Sequence, residues 1–303
     1  MSRDALPGAS SGAERLDPRL NAFRPDLADR RLAGIVSAPH YAAGRLARVT
    51  AGCAAVRRAP EAGAPVDTYY HYGEQVRVFD EAGDWAWCQS LADGYVGYVE
   101  RDRLAEPCRT APTHYVATCG SYLYEGPDLR GHPLDFLPRH SSVAVAETGL
   151  VTRGTEYAAL DTGGCLPLAC LSPTPSRSAD LVAAARLYLG CPYLWAGRSF
   201  LGLDCSGLVQ SAFRDIGIAV LRDTDMQRDT IGAEISVRSE TELRPGDLLY
   251  LPGHVLICAG AGAVIHADGL SMSVREASLS GLLAARGLAL HDFVVRRPSA
   301  EPD

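Results

Sequence analysis

The chain has no apolar run near the roughly 20 residues that a bilayer-spanning helix needs, no dense block of cationic residues and no C-x-x-C pair. Each absence excludes something. Without the apolar run, no membrane span is expected. The stretch from Met1 to Arg31 alternates small and charged residues (Arg3, Asp4, Glu14, Arg15, Asp17, Arg19) and holds no apolar segment of the kind a signal peptide carries, so a cytoplasmic location is expected. Without clustered positive potential, and with a formal net charge of -7, neither nucleic acid nor an anionic membrane is an expected partner, and no protein partner is predicted. Nine cysteines, at 53, 88, 108, 119, 165, 170, 191, 205 and 258, form an odd and scattered set in which Cys165 and Cys170 come nearest to a metal-ligand spacing. Free thiols are therefore predicted, with no metal site and no organic cofactor.

What is present is the composition of an ordinary globular protein, 47% hydrophobic and 21% charged, over 303 residues, which is long enough for two or three domains. Residues 1–45 are polar and rich in Pro, Gly and Ala, an arm with one short predicted helix from Leu27 to Gly34 capped by Asp26. Over 46–108, alternating runs such as Gln75–Phe79 and Trp85–Gln89 are separated by the turn clusters Glu81–Asp84 and Ala92–Gly94. Period two with turns at that spacing predicts a small β-barrel. Residues 109–172 repeat the style through Tyr115–Thr118, Ser142–Ala146 and Gly154–Tyr157, and predict a second barrel. The Pro- and Ser-rich stretch from Ser172 to Ser178 marks a boundary.

Beyond it, over 178–298, the pattern turns helical and then extended. Asp180 caps a predicted helix from Leu181 to Leu189, and another starts at Cys205 and stops at Gly217. Three short apolar runs, Asp247–Leu251, His254–Ala259 and Ala263–Ala267, read as consecutive strands, which makes this an α+β domain.

A cysteine at the first turn of a helix meets free N–H groups and the positive end of the macrodipole, which favour thiolate over thiol. His254 and His266 fall on neighbouring predicted strands, where one imidazole can take the Cys205 proton and the other can orient it. The amide N–H of Cys205 is a candidate oxyanion donor. Each residue alone reads as readily as core or surface; their combination carries the chemistry.

Cys191–Gly197, Leu203–Val209, Leu221–Gln227, Leu243–Leu248, Gly253–Val255 and Val264–Ala267 follow one another in an order and spacing that resembles the NlpC-type, papain-like cell-wall cysteine peptidases. The resemblance covers roughly 178–298 and implies two small SH3-like barrels followed by an α+β papain-like peptidase domain. It further implies a γ-D-glutamyl-L-diamino acid endopeptidase with Cys205, His254 and His266 as triad. Its substrate would be a murein-derived peptide, L-Ala-γ-D-Glu-diamino acid, cut during cell-wall recycling. Asp204 and Ser206 would hold the free amine of L-Ala together with a tyrosine of the first barrel, assigned to Tyr95 with Tyr98 as the core residue, although Asp204 also reads as a plain helix cap. Tyr193 and Trp195 would line the cleft, Arg222, Asp223 and Asp225 would meet substrate carboxylates or form exposed ion pairs, and Asp247 would shape a turn. Two alternatives stay open: an amidase or endopeptidase on intact murein, and a wall-fragment binding protein without activity.

Overall fold

The computed structural model describes residues 16–299; residues 1–15 of the expected arm lie outside the described residues. Strand is the commonest regular structure among the described residues, and helices are few. Among the described residues no helix is long and apolar enough to cross a membrane.

The first β unit is one antiparallel seven-stranded sheet in the order Val66–His71, Cys53–Arg57, Val96–Glu100, Trp85–Ser90, Gln75–Ala82, Arg45–Val49, Leu104–Ala105. Alternation puts Val76, Val78, Ala86, Cys88 and Val99 into one core with Val49, Val56 and Tyr70. The same alternation turns Phe79 and Trp87 to the opposite face, where their ring centroids are 5.7 Å apart. An apolar outer face needs a cover, and the arm supplies it: Ala22 and Leu27 pack on Phe79 and Trp87.

This docking explains why the helix predicted from Leu27 to Gly34 does not form. Leu27–Asp29 is extended and pairs in parallel with His40–Ala42, and only Arg30–Leu32 makes a single 3-10 turn. Asp29 caps that turn by accepting from the Arg31 N–H, while Asp26 is held in an ion pair with Arg24. So short a segment gains little as an isolated helix, and burial of Ala28 against the sheet decides its form.

Where a second barrel is expected, the strands divide between a three-stranded sheet (Ser142–Val143, His114–Val116, Leu171–Ser172) and a five-stranded sheet (Pro133–Pro138, Gly120–Tyr124, Cys165–Pro167, Thr155–Leu160, Val145–Thr152). Val116, Leu137, Val143 and Leu166 form a core common to both.

The C-terminal unit has a six-stranded antiparallel sheet in the order Ala233–Ile235, Val294–Arg297, Leu248–Leu251, His254–Gly260, Ala263–Asp268, Ser273–Ser278. Leu248, Tyr250, Val255 and Ile257 turn one face to the helix Cys205–Ile216, and Leu249, Leu256 and Val264 turn the other to the helix Leu279–Arg286. The helix predicted to reach Leu189 ends at Arg186. Its last turn tightens so that Tyr188 is buried and its hydroxyl donates to Asp215 at 2.7 Å, while Leu187 and Leu189 remain exposed.

The sequence contains no lysine, so all 29 permanently charged cationic side chains are arginine. Their planar forks wire the units together. Asp215, near the end of the Cys205–Ile216 helix, is fully buried and accepts from Arg139 at 2.6 Å and His140 at 2.8 Å, both from the second β unit. Glu74 of the first unit pairs with Arg198 and, at 3.0 Å, with Arg214.

Candidate active site

Cys205 opens its helix because Asp204 caps it, accepting the Gly207 N–H at 2.7 Å; Gly217, at φ +89°, ends it. Gly207 permits the approach of this first turn to the Gly197 loop, since a Cβ there would lie 2.0 Å from the Gly197 carbonyl oxygen. Nearly every residue of the helix is buried, Cys205 among them at 7% exposure. Its sulfur lies 3.8 Å from the Gly253 carbonyl oxygen and 3.9 Å from the Thr224 hydroxyl.

Gly253 leads directly into the strand His254–Gly260, which pairs with Ala263–Asp268 through Ile257 and Ile265. That register brings His254 and His266 together, with Nε2 of the first 3.2 Å from Nδ1 of the second and the rings 5.4 Å apart, edge to face. Nε2 of His266 is buried with no hydrogen-bond partner among the described residues. With the shared proton on Nε2 of His254, its Nδ1 keeps a lone pair free to act as base.

Burial governs the charge state of all three groups. It pushes the Cys205 thiol up, helped by the Asp204 carboxylate, against the Val255 and Ser206 N–H groups and the Thr224 hydroxyl. It pushes His254 down to about 4, with the Arg286 charge adding to the effect, and His266 to about 4, with the neighbouring His254 adding. Burial thus works against the thiolate expected at the helix start, while the Val255 and Ser206 N–H groups and the Thr224 hydroxyl work for it.

Asp204 is more than a cap. Its Oδ1 also accepts from Ser206 Oγ at 3.2 Å and Arg222 Nη1 at 3.0 Å, and its Oδ2 accepts from the Ala196 N–H at 2.9 Å and Arg222 Nη2 at 2.7 Å. Ser206 Oγ accepts in turn from Arg222 Nη1 at 2.8 Å. Asp204 is thereby engaged at both oxygens, while Ser206 Oγ keeps one acceptor position open. Arg222, expected to meet substrate or pair in solvent, is 1% exposed and also reaches Thr68 of the first β unit.

A cleft of about 820 Å³ runs from Cys205 between the C-terminal unit, the first β unit and the arm. Tyr95 and Trp195 line it, as does Asp223. The Tyr95 ring is buried and its hydroxyl donates to Asp223 Oδ2 at 3.0 Å; Trp195 stands 67% exposed over the cleft. Tyr193 is half-buried against the core that holds the Cys205 helix. Tyr98, expected as core, is half-buried and lines the cleft, where its hydroxyl accepts from Arg24 at 3.3 Å. Asp247 shapes its turn as expected, accepting the Arg244 N–H at 2.8 Å, and also pairs with Arg297. Sequence reasoning missed Thr224 and Arg19. Thr224 stands inside a recognised motif, but its contact with sulfur depends on a turn whose course no spacing gives. Among the described residues, no group of three or more His, Cys, Asp or Glu is arranged to hold a metal ion, and all nine cysteines are free.

Residues 190–286, which hold the sulfur and both imidazoles, match the NlpC/P60 family, and residues 56–104 match the bacterial dipeptidyl-peptidase Sh3 domain. The chain carries an NlpC/P60 domain. The chain is 26% identical over 230 residues to the dipeptidyl-peptidase 6 of Lysinibacillus sphaericus, covering 70% of this chain and 82% of that protein. It is 25% identical over 235 residues to a γ-D-glutamyl-L-lysine dipeptidyl-peptidase of Bacillus subtilis (strain 168), covering 71% and 76%. A solved NlpC/P60 family protein from Bacillus cereus ATCC 10987 shares the fold, with a TM-score of 0.67 at 20% identity over 84% of this chain and 99% of that one. The NlpC/P60 domain here, preceded by its SH3-like domain, is that of a cysteine peptidase, a hydrolase.

Proposed function

We propose that the chain hydrolyses the γ-D-glutamyl-L-diamino acid bond of peptidoglycan stem peptides whose N-terminal L-Ala is free, the form released when wall fragments are recycled. Cys205 serves as nucleophile, His254 as general base and acid, and His266 as the group that orients it. The observation that carries the substrate class is the Asp223–Tyr95 pair, a half-buried carboxylate in the cleft that holds Cys205. A cleft that holds this carboxylate, and whose arginines among the described residues all stand in ion pairs, suits an ammonium. Because Asp204 is already engaged at both oxygens, we assign the amine contact to Asp223, with Asp204 and Ser206 lining the cleft beside Cys205. Relatives named for dipeptidyl release support the same substrate class.

In the reaction, the Cys205 proton passes to Nδ1 of His254 as sulfur attacks the γ-carbonyl carbon, and the oxyanion forms beside the Cys205 N–H. His254 then protonates the departing diamino acid nitrogen as the C–N bond breaks. A water attacks the thioester, giving its proton to His254, and the thiol is restored as the glutamyl carboxylate leaves.

Mass spectrometry of L-Ala-γ-D-Glu-diaminopimelate, free or N-acetylated, after incubation with the protein tests the reading. The expected result is cleavage of the free peptide alone; equal cleavage of both would discard the amino-end requirement. The pH profile gives a second expectation. His254 stays neutral well into the acid range, so the acid limb of kcat/KM is expected far below the 6.5 of an ordinary imidazole, approaching pH 4. A limb near 6.5 would contradict the burial of His254 described above.

A further inference from the structure

The arm reaches the cleft through Arg19. Its backbone carbonyl accepts the Val96 N–H at 2.8 Å, beside Tyr95, which fixes the arm on the first β unit. Its guanidinium crosses the cleft, donating from Nη1 to Asp223 Oδ2 at 2.8 Å and from Nη2 to Asp225 Oδ2 at 2.6 Å, while Nε and Nη2 are steadied by Asp17 at 2.7–3.1 Å. Asp223 Oδ2 thus carries both Arg19 and Tyr95, and its Oδ1 makes no hydrogen bond among the described residues although the side chain is 23% exposed in the cleft.

We propose that Arg19 is a positioning residue for recognition of the substrate's amino end: by gripping Asp223 through Oδ2 it leaves Oδ1 as the acceptor for the ammonium of L-Ala. The inference rests on the function proposed above and adds to it that amino-end selectivity is completed by the arm, outside both matched domains. The arithmetic of charge supports a positioning role over a blocking one. One guanidinium meets three carboxylates, Asp17, Asp223 and Asp225, so the end of the cleft stays acidic with Arg19 in place. Arg58 of the first β unit is taken by Asp67 at 2.6 Å.

Arg19 also acts on the charge of Asp223. Burial raises that carboxyl's affinity for its proton, and Arg222, the Tyr95 hydroxyl and Arg19 oppose it. The other charged groups lining the cleft with it are Asp225 on its own turn, Asp17 and Arg24 on the arm, Arg58 and Asp67 on the first β unit, and Asp204 before the Cys205 helix. Without Arg19, protonation of Asp223 reaches to higher pH, and the ammonium loses its counter-charge first in acid.

The test compares the unaltered protein, Arg19→Gln and Arg19→Lys on L-Ala-γ-D-Glu-diaminopimelate, free and N-acetylated, at pH 5 and pH 8. Arg19→Gln is expected to raise KM for the free peptide roughly 10- to 100-fold, the loss of one charge-assisted contact, with kcat within about 3-fold. The defect should be larger at pH 5, and Arg19→Lys should recover part of it. An unchanged KM overturns the proposal. So does an equal loss in kcat and KM at both pH values that lysine does not relieve, which is what a merely structural role would give. Equal cleavage of the two peptides by the unaltered protein would overturn the amino-end reading itself, before any variant is compared.

Discussion

Cys205→Ala is expected to lower peptide cleavage by at least about 10⁴-fold while the protein unfolds within about 2 °C of the parent, as read by release of the diamino acid and by thermal melting. The expectation follows from the sulfur's setting. It is the reacting atom at the buried start of a helix, between the Gly253 carbonyl and the Thr224 hydroxyl, and next to a strand that delivers an imidazole. Its packing role is small, because a methyl group in place of CH₂SH removes one polarizable atom from a site bordering a wide cleft. Residual activity above about 1% would remove Cys205 from the nucleophile's role.

Arg222→Met should produce the largest loss of stability, about 3–5 kcal/mol, because it strands the buried Asp204 carboxylate without its counter-charge. Two of the hydrogen bonds to Asp204, one to Ser206 and one to Thr68 go with it. Since Asp204 also holds the Gly207 and Ala196 N–H groups, the turn that presents Cys205 should loosen, and activity should fall with stability. Denaturant unfolding and peptide turnover measure both. Coupling Arg222→Met with Asp204→Asn should recover part of the stability, since the buried charge is then removed from both sides. A single-variant loss below about 1 kcal/mol would show that water reaches Asp204 and that the pair is not sealed as described.

What could be read along the chain was what short-range physics decides. The helix from Cys205 to Gly217 needs only a capping carboxylate in front and a glycine behind, and the strands around His254 and His266 need only apolar runs between turns. The rest depends on partners far away in sequence. Leu27–Asp29 is extended because of the sheet it docks on, not because of its own residues. Arg222 looks like a surface cation until the helix it supports closes over it, and the burial that works against a thiolate at Cys205 is a property of the assembled cleft. Arg19 lies 204 positions from Asp223, in a stretch whose polar composition gave no reason to look for a binding group.

The buried carboxylates that join the units also bear on the order in which the chain is completed. Glu74 is made early in synthesis, yet its two partners, Arg198 and Arg214, arrive only with the peptidase sequence, and Asp215 comes last to Arg139 and His140, which have been waiting for it. Until the Cys205 helix docks, each side of these contacts has a charge with nowhere dry to go, and the late contacts close loops of 75 to 140 residues. The Cys205 helix therefore needs both β units in place before its charges at Arg214 and Asp215 are matched.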